Sequence, residues 1–149
     1  MRNLWVRTRR DCGFTLIELV VVMVIISILA GALVVSIKNR TRQAQRARAL
    51  QDIKTIETAV DLYAADNGSP PTAQQGLQAL KAKPTAPPIP NNWNGYIKKA
   101  LIDPWGQPYI YRYPGQINPS GYDIVSYGED KMPGGSGEFD VDITNSDEE

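Results

Sequence analysis

The hydrophobic pattern begins at Phe14. From there to Val35 the chain reads FTLIELVVVMVIISILAGALVV, with Glu18 as its one charge. As a helix rising 1.5 Å per residue, these 22 residues span roughly 33 Å, enough to cross the hydrocarbon core of a bilayer. The pattern then turns amphipathic. Leu50, Ile53, Ile56, Val60 and Tyr63 recur at spacings of three and four, which places them on one helical face. No proline follows the apolar run until Pro70, and Asn67-Gly68 with Pro70-Pro71 supplies a stop signal. One continuous helix is predicted to about Asp66, roughly 53 residues and about 80 Å long.

Beyond the stop, residues 68–95 are rich in proline, glycine and asparagine, with one short helical candidate from Ala73 to Lys81. Leu77, Leu80, Ile89 and Trp93 give this loop region apolar anchors. Asp103-Pro104-Trp105-Gly106 is turn chemistry, and the alternating Tyr109, Tyr111 and Tyr113 then read as a strand ended by Pro114-Gly115. Gly121 to Tyr127 reads as a second strand, so an antiparallel hairpin is expected. A long helix needing a partner for its stripe and a small antiparallel sheet make an α+β fold. The tyrosine row also suits a carbohydrate platform, but half-buried strand packing is the commoner use of such a row.

Composition narrows the chemistry. The chain has 149 residues, a formal net charge of zero, no histidine and one cysteine, Cys12. Without histidine the commonest general base and transition-metal ligand is missing. One cysteine excludes an internal disulfide and a cysteine-based zinc site. The zero charge hides an asymmetry: Arg2, Arg7, Arg9 and Arg10 precede the apolar run, Lys38, Arg40, Arg42, Arg46 and Arg48 follow it, and ten acids lie from Asp103 onward. The Lys38–Arg48 cluster is read as a solvated or headgroup-facing neck rather than a nucleic-acid site, because no aromatic residues interleave it.

Glu18 is the informative departure from the apolar pattern. A carboxylate inside an apolar helix costs roughly 2.5–3.5 kcal/mol on insertion scales, so it either sits solvated at the interface or has a partner. An ordinary signal peptide fits poorly, since the run is long and no small-x-small cleavage site follows it. A plain signal-anchor helix explains the length but not Glu18. Gly13-Phe14-Thr15-Leu16-Ile17-Glu18-Leu19 resembles the processing motif of type IV pilins and pseudopilins. The resemblance implies cleavage between Gly13 and Phe14 by a prepilin peptidase, on the cytoplasmic side, with methylation of the new N-terminus. It also implies that Glu18 pairs with the Phe14 α-amino group of a neighbouring subunit during assembly. Removing the leader, with its four arginines and one aspartate, takes the neutral chain to about −3 and removes Cys12.

Further along, Asn67-Gly68 with Pro71, Gln75-Gly76-Leu77 with Ala79-Leu80, Trp93 with Gly95-Tyr96, and Asp103-Pro104-Trp105-Gly106 with Pro108-Tyr109 resemble the head of the major pseudopilin of bacterial type II secretion systems. The implied organisation is a leader over 1–13, a transmembrane and assembly helix over 14–37, an amphipathic helix over 38–67 and a periplasmic head over 68–149.

Gly128 to Asp142 is the one stretch with ligand chemistry. Clustered carboxylates among glycines suit a hard cation such as calcium, which takes six to eight oxygens, though the same composition describes a solvated acidic loop. The spacing is not that of an EF-hand. The resemblance implies one bound calcium, with Asp130, Asp140 and Asp142 as carboxylate ligands and Tyr127 and Met132 where backbone carbonyl ligands are expected. Asp140 departs from the family, which commonly places two acidic residues closer together. Ser146 and the tail Asp147-Glu148-Glu149 stand where the family has a tryptophan after the asparagine.

The function so implied is structural and not enzymatic: a self-polymerising pseudopilus subunit that helps export folded proteins. Its partners would be minor pseudopilins, the inner-membrane assembly platform and the prepilin peptidase. The implied location is single-pass in the bacterial inner membrane, with a cytoplasmic N-terminus and periplasmic head. A type IV minor pilin for adhesion or DNA uptake is the alternative; the absence of a disulfide and the head motifs count against it. A carboxylate glycosidase using two of Asp123, Asp130, Asp140 and Asp142 is a third class, but no surrounding motif supports it.

Overall fold

The computed structural model describes residues 13–137 and 139–147, with the side chains of residues 32–37 outside that description. The basic leader, Cys12 and the tail acids Glu148 and Glu149 lie outside it as well. The chain divides into two compact units, residues 1–39 and 40–149. Helix α1, Leu16–Asn67, runs through both.

In the first unit, α1 starts where the sequence supplies a cap. The Thr15 hydroxyl accepts the Glu18 N–H at 3.3 Å, and the Thr15 carbonyl accepts the Leu19 N–H at 3.2 Å. Thr15-x-x-Glu18 is thus a capping-box sequence, with an acid in the first turn where the helix dipole favours it. From Leu16 to Leu29 the apolar side chains are exposed, at 45–83% of their full area. Ser27 turns its hydroxyl back onto the Met23 carbonyl at 2.8 Å, which leaves the exposed Glu18 as the one charge on that surface. Among the described residues no helix is long and apolar enough to cross a membrane. The apolar run read from the sequence continues into 32–37, whose side chains are not described.

In the second unit the amphipathic stripe is realised. Ala49, Ile53, Ile56, Val60 and Tyr63 are buried on α1, and Leu50 packs half-buried beside them. Ile53, Ile56 and Val60 each contribute about 1.5–3 kcal/mol by leaving water. The helix ends at Gly68, whose φ of +83° is a left-handed cap that places its N–H 2.7 Å from the Ala64 carbonyl. Across the stripe lie Leu77 and Leu80 from a 3₁₀ turn, Leu77–Leu80, with Leu101, Tyr109, Tyr122, Ile124 and Ile143.

The sheet has three antiparallel strands in the order β1 (Ile110–Arg112), β2 (Asp123–Ser126), β3 (Ile143–Thr144). Tyr111 faces Ile124 and Arg112 faces Asp123 across the first pair, and Ser126 faces Ile143 across the second. The expected hairpin is present with shorter strands, and β3 is an addition to it. Tyr109 is buried and Tyr111 and Tyr113 half-buried, so the tyrosine row packs the core instead of forming a platform. The helix expected over Ala73–Lys81 shrinks to the 3₁₀ turn. Thr72 and Gln75 bond each other reciprocally, at 3.1 and 3.3 Å, a capping box that starts one turn, and Gly76, at a φ of +57°, breaks the helix before it continues. The Gln75 amide then donates to the carbonyls of Ala86 and Pro88, both at 2.8 Å, and so clips the proline-rich loop. Trp93 adds a second fastening from its indole N–H to the Ala79 carbonyl at 2.7 Å.

All four residues of β2 are buried, so its two polar side chains require partners. Asp123 is 0% exposed, and its carboxylate accepts the N–H groups of Gln116, Ile117 and Asn118 at 2.5–3.0 Å. Ser126 donates to Asp103 at 2.7 Å. Asp103 also accepts the N–H groups of Trp105 and Gln107, which closes the Asp-Pro-Trp-Gly turn against the sheet.

Candidate functional site

Two places carry the chemistry expected from the sequence. At the first, Gly13 and Phe14 are exposed ahead of α1, with Phe14 82% accessible, and Glu18 is exposed in the first turn. The peptide bond expected to be cut therefore precedes the helix cap. Its accessibility is what a protease needs. A new α-amino group at Phe14 would sit at the positive end of the helix dipole, where a cation is disfavoured and a carboxylate is the natural counter-charge.

The second is the loop from Tyr127 to Asp142. Gly128 has a φ of +70°, and a side chain there would come within 3.3 Å of the Phe139 carbonyl and 3.6 Å of the Val141 carbonyl. The loop thus doubles back on Gly128 and brings carbonyl oxygens to it. A side chain at Gly135 would collide with the Asp140 backbone. Asp130 accepts the Met132 N–H at 3.1 Å, a local Asx turn. One Asp142 oxygen accepts the Gly134 N–H at 3.0 Å, while the other is buried with no hydrogen-bond partner. Asp140 lies exposed, with its backbone N–H on the Gly137 carbonyl. Tyr127 is half-buried, its hydroxyl accepting from Arg112 at 3.3 Å, and Met132 is 65% exposed.

Among the described residues, the structure does not gather three acidic side chains into a ready cage, so Asp130, Asp140 and Asp142 are not held together. The donor chemistry nonetheless fits a hard cation: an unpaired buried carboxylate oxygen and turned-in carbonyls are oxygen ligands of the kind calcium takes.

Sequence reasoning missed what fastens this loop. Arg42 and Arg46, expected in a solvated neck, turn from α1 onto it. Arg42 Nε and Nη2 donate to Glu129 at 3.1 and 3.0 Å, and the Arg42 guanidinium lies 5.4 Å from the centre of the Phe139 ring. Arg46 reaches the Val141 carbonyl at 3.5 Å. Lys38, Arg40 and Arg48 are exposed as expected.

Comparison with known proteins covers both places. Residues 36–146 match the family model described as type II secretion system (T2SS), protein G, and residues 8–34 match the prokaryotic N-terminal methylation motif. The chain is 49% identical over 141 residues to the type II secretion system core protein G of Pseudomonas aeruginosa, covering 93% of this chain and 97% of that one. It is 42% identical over 140 residues to the protein of the same description from Escherichia coli (strain K12), covering 93% and 92%. The crystal structure of the major pseudopilin from the type 2 secretion system of enterohaemorrhagic Escherichia coli superposes with a TM-score of 0.61 at 37% identity, over 72% of this chain and 91% of that one. With the capped apolar N-terminus, the helix-on-sheet head and these matches together, the chain belongs to the protein G family of type II secretion systems.

Proposed function

We propose that this chain is a structural, non-enzymatic subunit of the type II secretion pseudopilus, and that it polymerises through the N-terminal part of α1. The observation that carries the reading is the exposed apolar surface from Leu16 to Leu29, in a chain whose head has a closed core of its own. Such a surface asks for lipid before assembly and for copies of itself afterwards. The methylation motif and the family together make the protein membrane-anchored with its head exposed to the periplasm. The finer topology we propose is a single pass of the inner membrane with a cytoplasmic N-terminus. A prepilin peptidase would cut between Gly13 and Phe14, and minor pseudopilins and the inner-membrane platform would be the assembly partners. The type IV minor pilin alternative is not favoured, because the family match extends through the head.

Within this reading Glu18 serves twice. In one chain it occupies the third position after the Thr15 cap, and in the fibre its carboxylate neutralises the Phe14 α-amino group of a neighbour. Calcium is the ion we propose for the 127–142 loop, held by Asp142 and Asp130 with loop carbonyls, and Asp140, Tyr127 and Met132 as further candidates. Bound there, it would neutralise carboxylates and close a glycine-rich segment whose ordering entropy is large.

The test is to express the full chain with the secretion system and follow the N-terminus by mass spectrometry and the fibres by microscopy. A methylated Phe14 N-terminus and fibres are expected from the wild type. Glu18→Ala is expected to insert and be cleaved but to give no fibres. Normal fibres from that variant would sink the assembly role of Glu18.

A further inference from the structure

The 127–142 loop concentrates negative charge. Glu129, Asp130, Asp140 and Asp142 stand in it against Lys131 alone among the described residues. Like charges on a glycine-rich segment oppose its closure, yet the loop is closed, with Gly128 against the Phe139 and Val141 carbonyls. The positive charge that offsets them comes from the helix. Arg42 engages Glu129 near the start of the loop through two N–H donors, with its nearest ion contact, Nε to Oε2, at 2.8 Å. The same guanidinium lies against the Phe139 ring near the end of the loop. One planar cation therefore touches both limbs of the loop at once.

We propose that Arg42 is a built-in counter-cation that latches the acidic loop onto α1, independently of any bound metal ion. Arginine suits the position, since its flat, weakly hydrated fork donates along its edge while its face lies on an aromatic ring. A lysine offers a point charge and no such face. Arg46, one turn further along α1, adds a weaker hold on the Val141 carbonyl. The ion pair alone would be worth little, because the Arg42 and Glu129 side chains are 32% and 33% exposed. Joining a charge contact and a ring contact through one side chain is what gives the latch its effect.

The experiment is hydrogen exchange on the full chain in detergent micelles, reading amides between Gly128 and Asp142, in excess chelator and then in calcium. The wild-type loop is expected to keep protection in chelator. Arg42→Gln is expected to exchange about five- to tenfold faster there, with Arg42→Lys recovering only part of the difference. Glu129→Gln, which leaves the helix untouched, is expected to act in the same direction. The double variant is expected to fall short of the sum of the two. Loop protection in Arg42→Gln equal to wild type in chelator, or fully additive effects of the two substitutions, would overturn the latch. The calcium arm reports on the separate reading of the metal: if calcium protects none of these proteins, that reading fails while the comparison in chelator still decides the latch.

Discussion

Asp103 and Ser126 meet 2.7 Å apart in the buried part of the head, a carboxylate accepting from the hydroxyl of a central strand 23 residues away. The other Asp103 oxygen holds the N–H groups of Trp105 and Gln107. Asp103→Ala removes the partner of a buried hydroxyl and of two part-buried N–H groups. A loss of about 2–4 kcal/mol is expected, read as a lower urea midpoint with an unchanged slope. Asp103→Asn, which keeps acceptor capacity on one side only, should fall between.

Asp123 gives the head an acid limit. Burial alone would raise its carboxyl, but the N–H groups of Ile117, Asn118 and Gln116, with Arg112 opposite, outweigh that and hold it below its ordinary value of 3.8. The folded state therefore binds this proton more weakly than the unfolded chain. The resulting stability is fully present above the ordinary carboxyl range and is lost as pH falls from there through the lowered folded value. Asp123→Asn should lower stability at neutral pH and flatten this acid limb. Chemical denaturation midpoints followed from neutral pH down to about pH 2 check both parts. An unchanged acid limb would assign the loss to other carboxylates.

Tyr122 sets a limit at the opposite end. Its hydroxyl is raised above the ordinary value of 10.0 by burial first, and then by its 2.7 Å hydrogen bond to Asp61 and that carboxylate's charge. The unfolded chain releases this proton more readily, so stability is whole below about pH 10 and declines as pH climbs toward the raised folded value. Tyr122→Phe should cost about 1 kcal/mol at neutral pH. It should also shallow the decline above about pH 10, seen in denaturation midpoints with tyrosinate absorbance recorded alongside.

Calcium removal tests the ion proposed for the loop. At free calcium 100 times the dissociation constant, linkage adds about 2.7 kcal/mol, so the full chain in micelles should melt several degrees lower in chelator. Asp142→Ala should abolish this difference. Because that substitution also removes the unpaired buried oxygen, its chelated form should melt no lower than the chelated wild type by more than the lost Gly134 hydrogen bond, about 1 kcal/mol. Equal melting of the wild type in both conditions would remove calcium from the account.

What could be read from the sequence follows the range of the forces involved. The helix was legible because Ile53, Ile56, Val60 and Tyr63 repeat a local period that burial obeys. The hairpin was legible from turn residues flanking Tyr109–Tyr113 and Gly121–Tyr127, although only Ile110–Arg112 and Asp123–Ser126 pair. Strand β3 was not, because Ile143-Thr144 is too short to show alternation and is fixed by pairing with β2 across the long acidic loop. Arg42 was misread for the same reason. Its partner Glu129 lies 87 residues away, and a charge cluster in sequence does not say which member turns inward. The aspartates of the loop were named from composition and resemblance, and their mutual placement depends on backbone turns that composition does not specify.

The Gln75 clip has one more consequence. Its amide reads two main-chain carbonyls, those of Ala86 and Pro88, and main-chain carbonyls are common to all twenty residue types. The course of the proline-rich loop is thereby decoupled from the identity of the side chains it displays. Lys83, Thr85 and Ile89 on its outer side can drift over evolutionary time, retuning the charge and stickiness of that patch of head surface, while the scaffold beneath stays where it is.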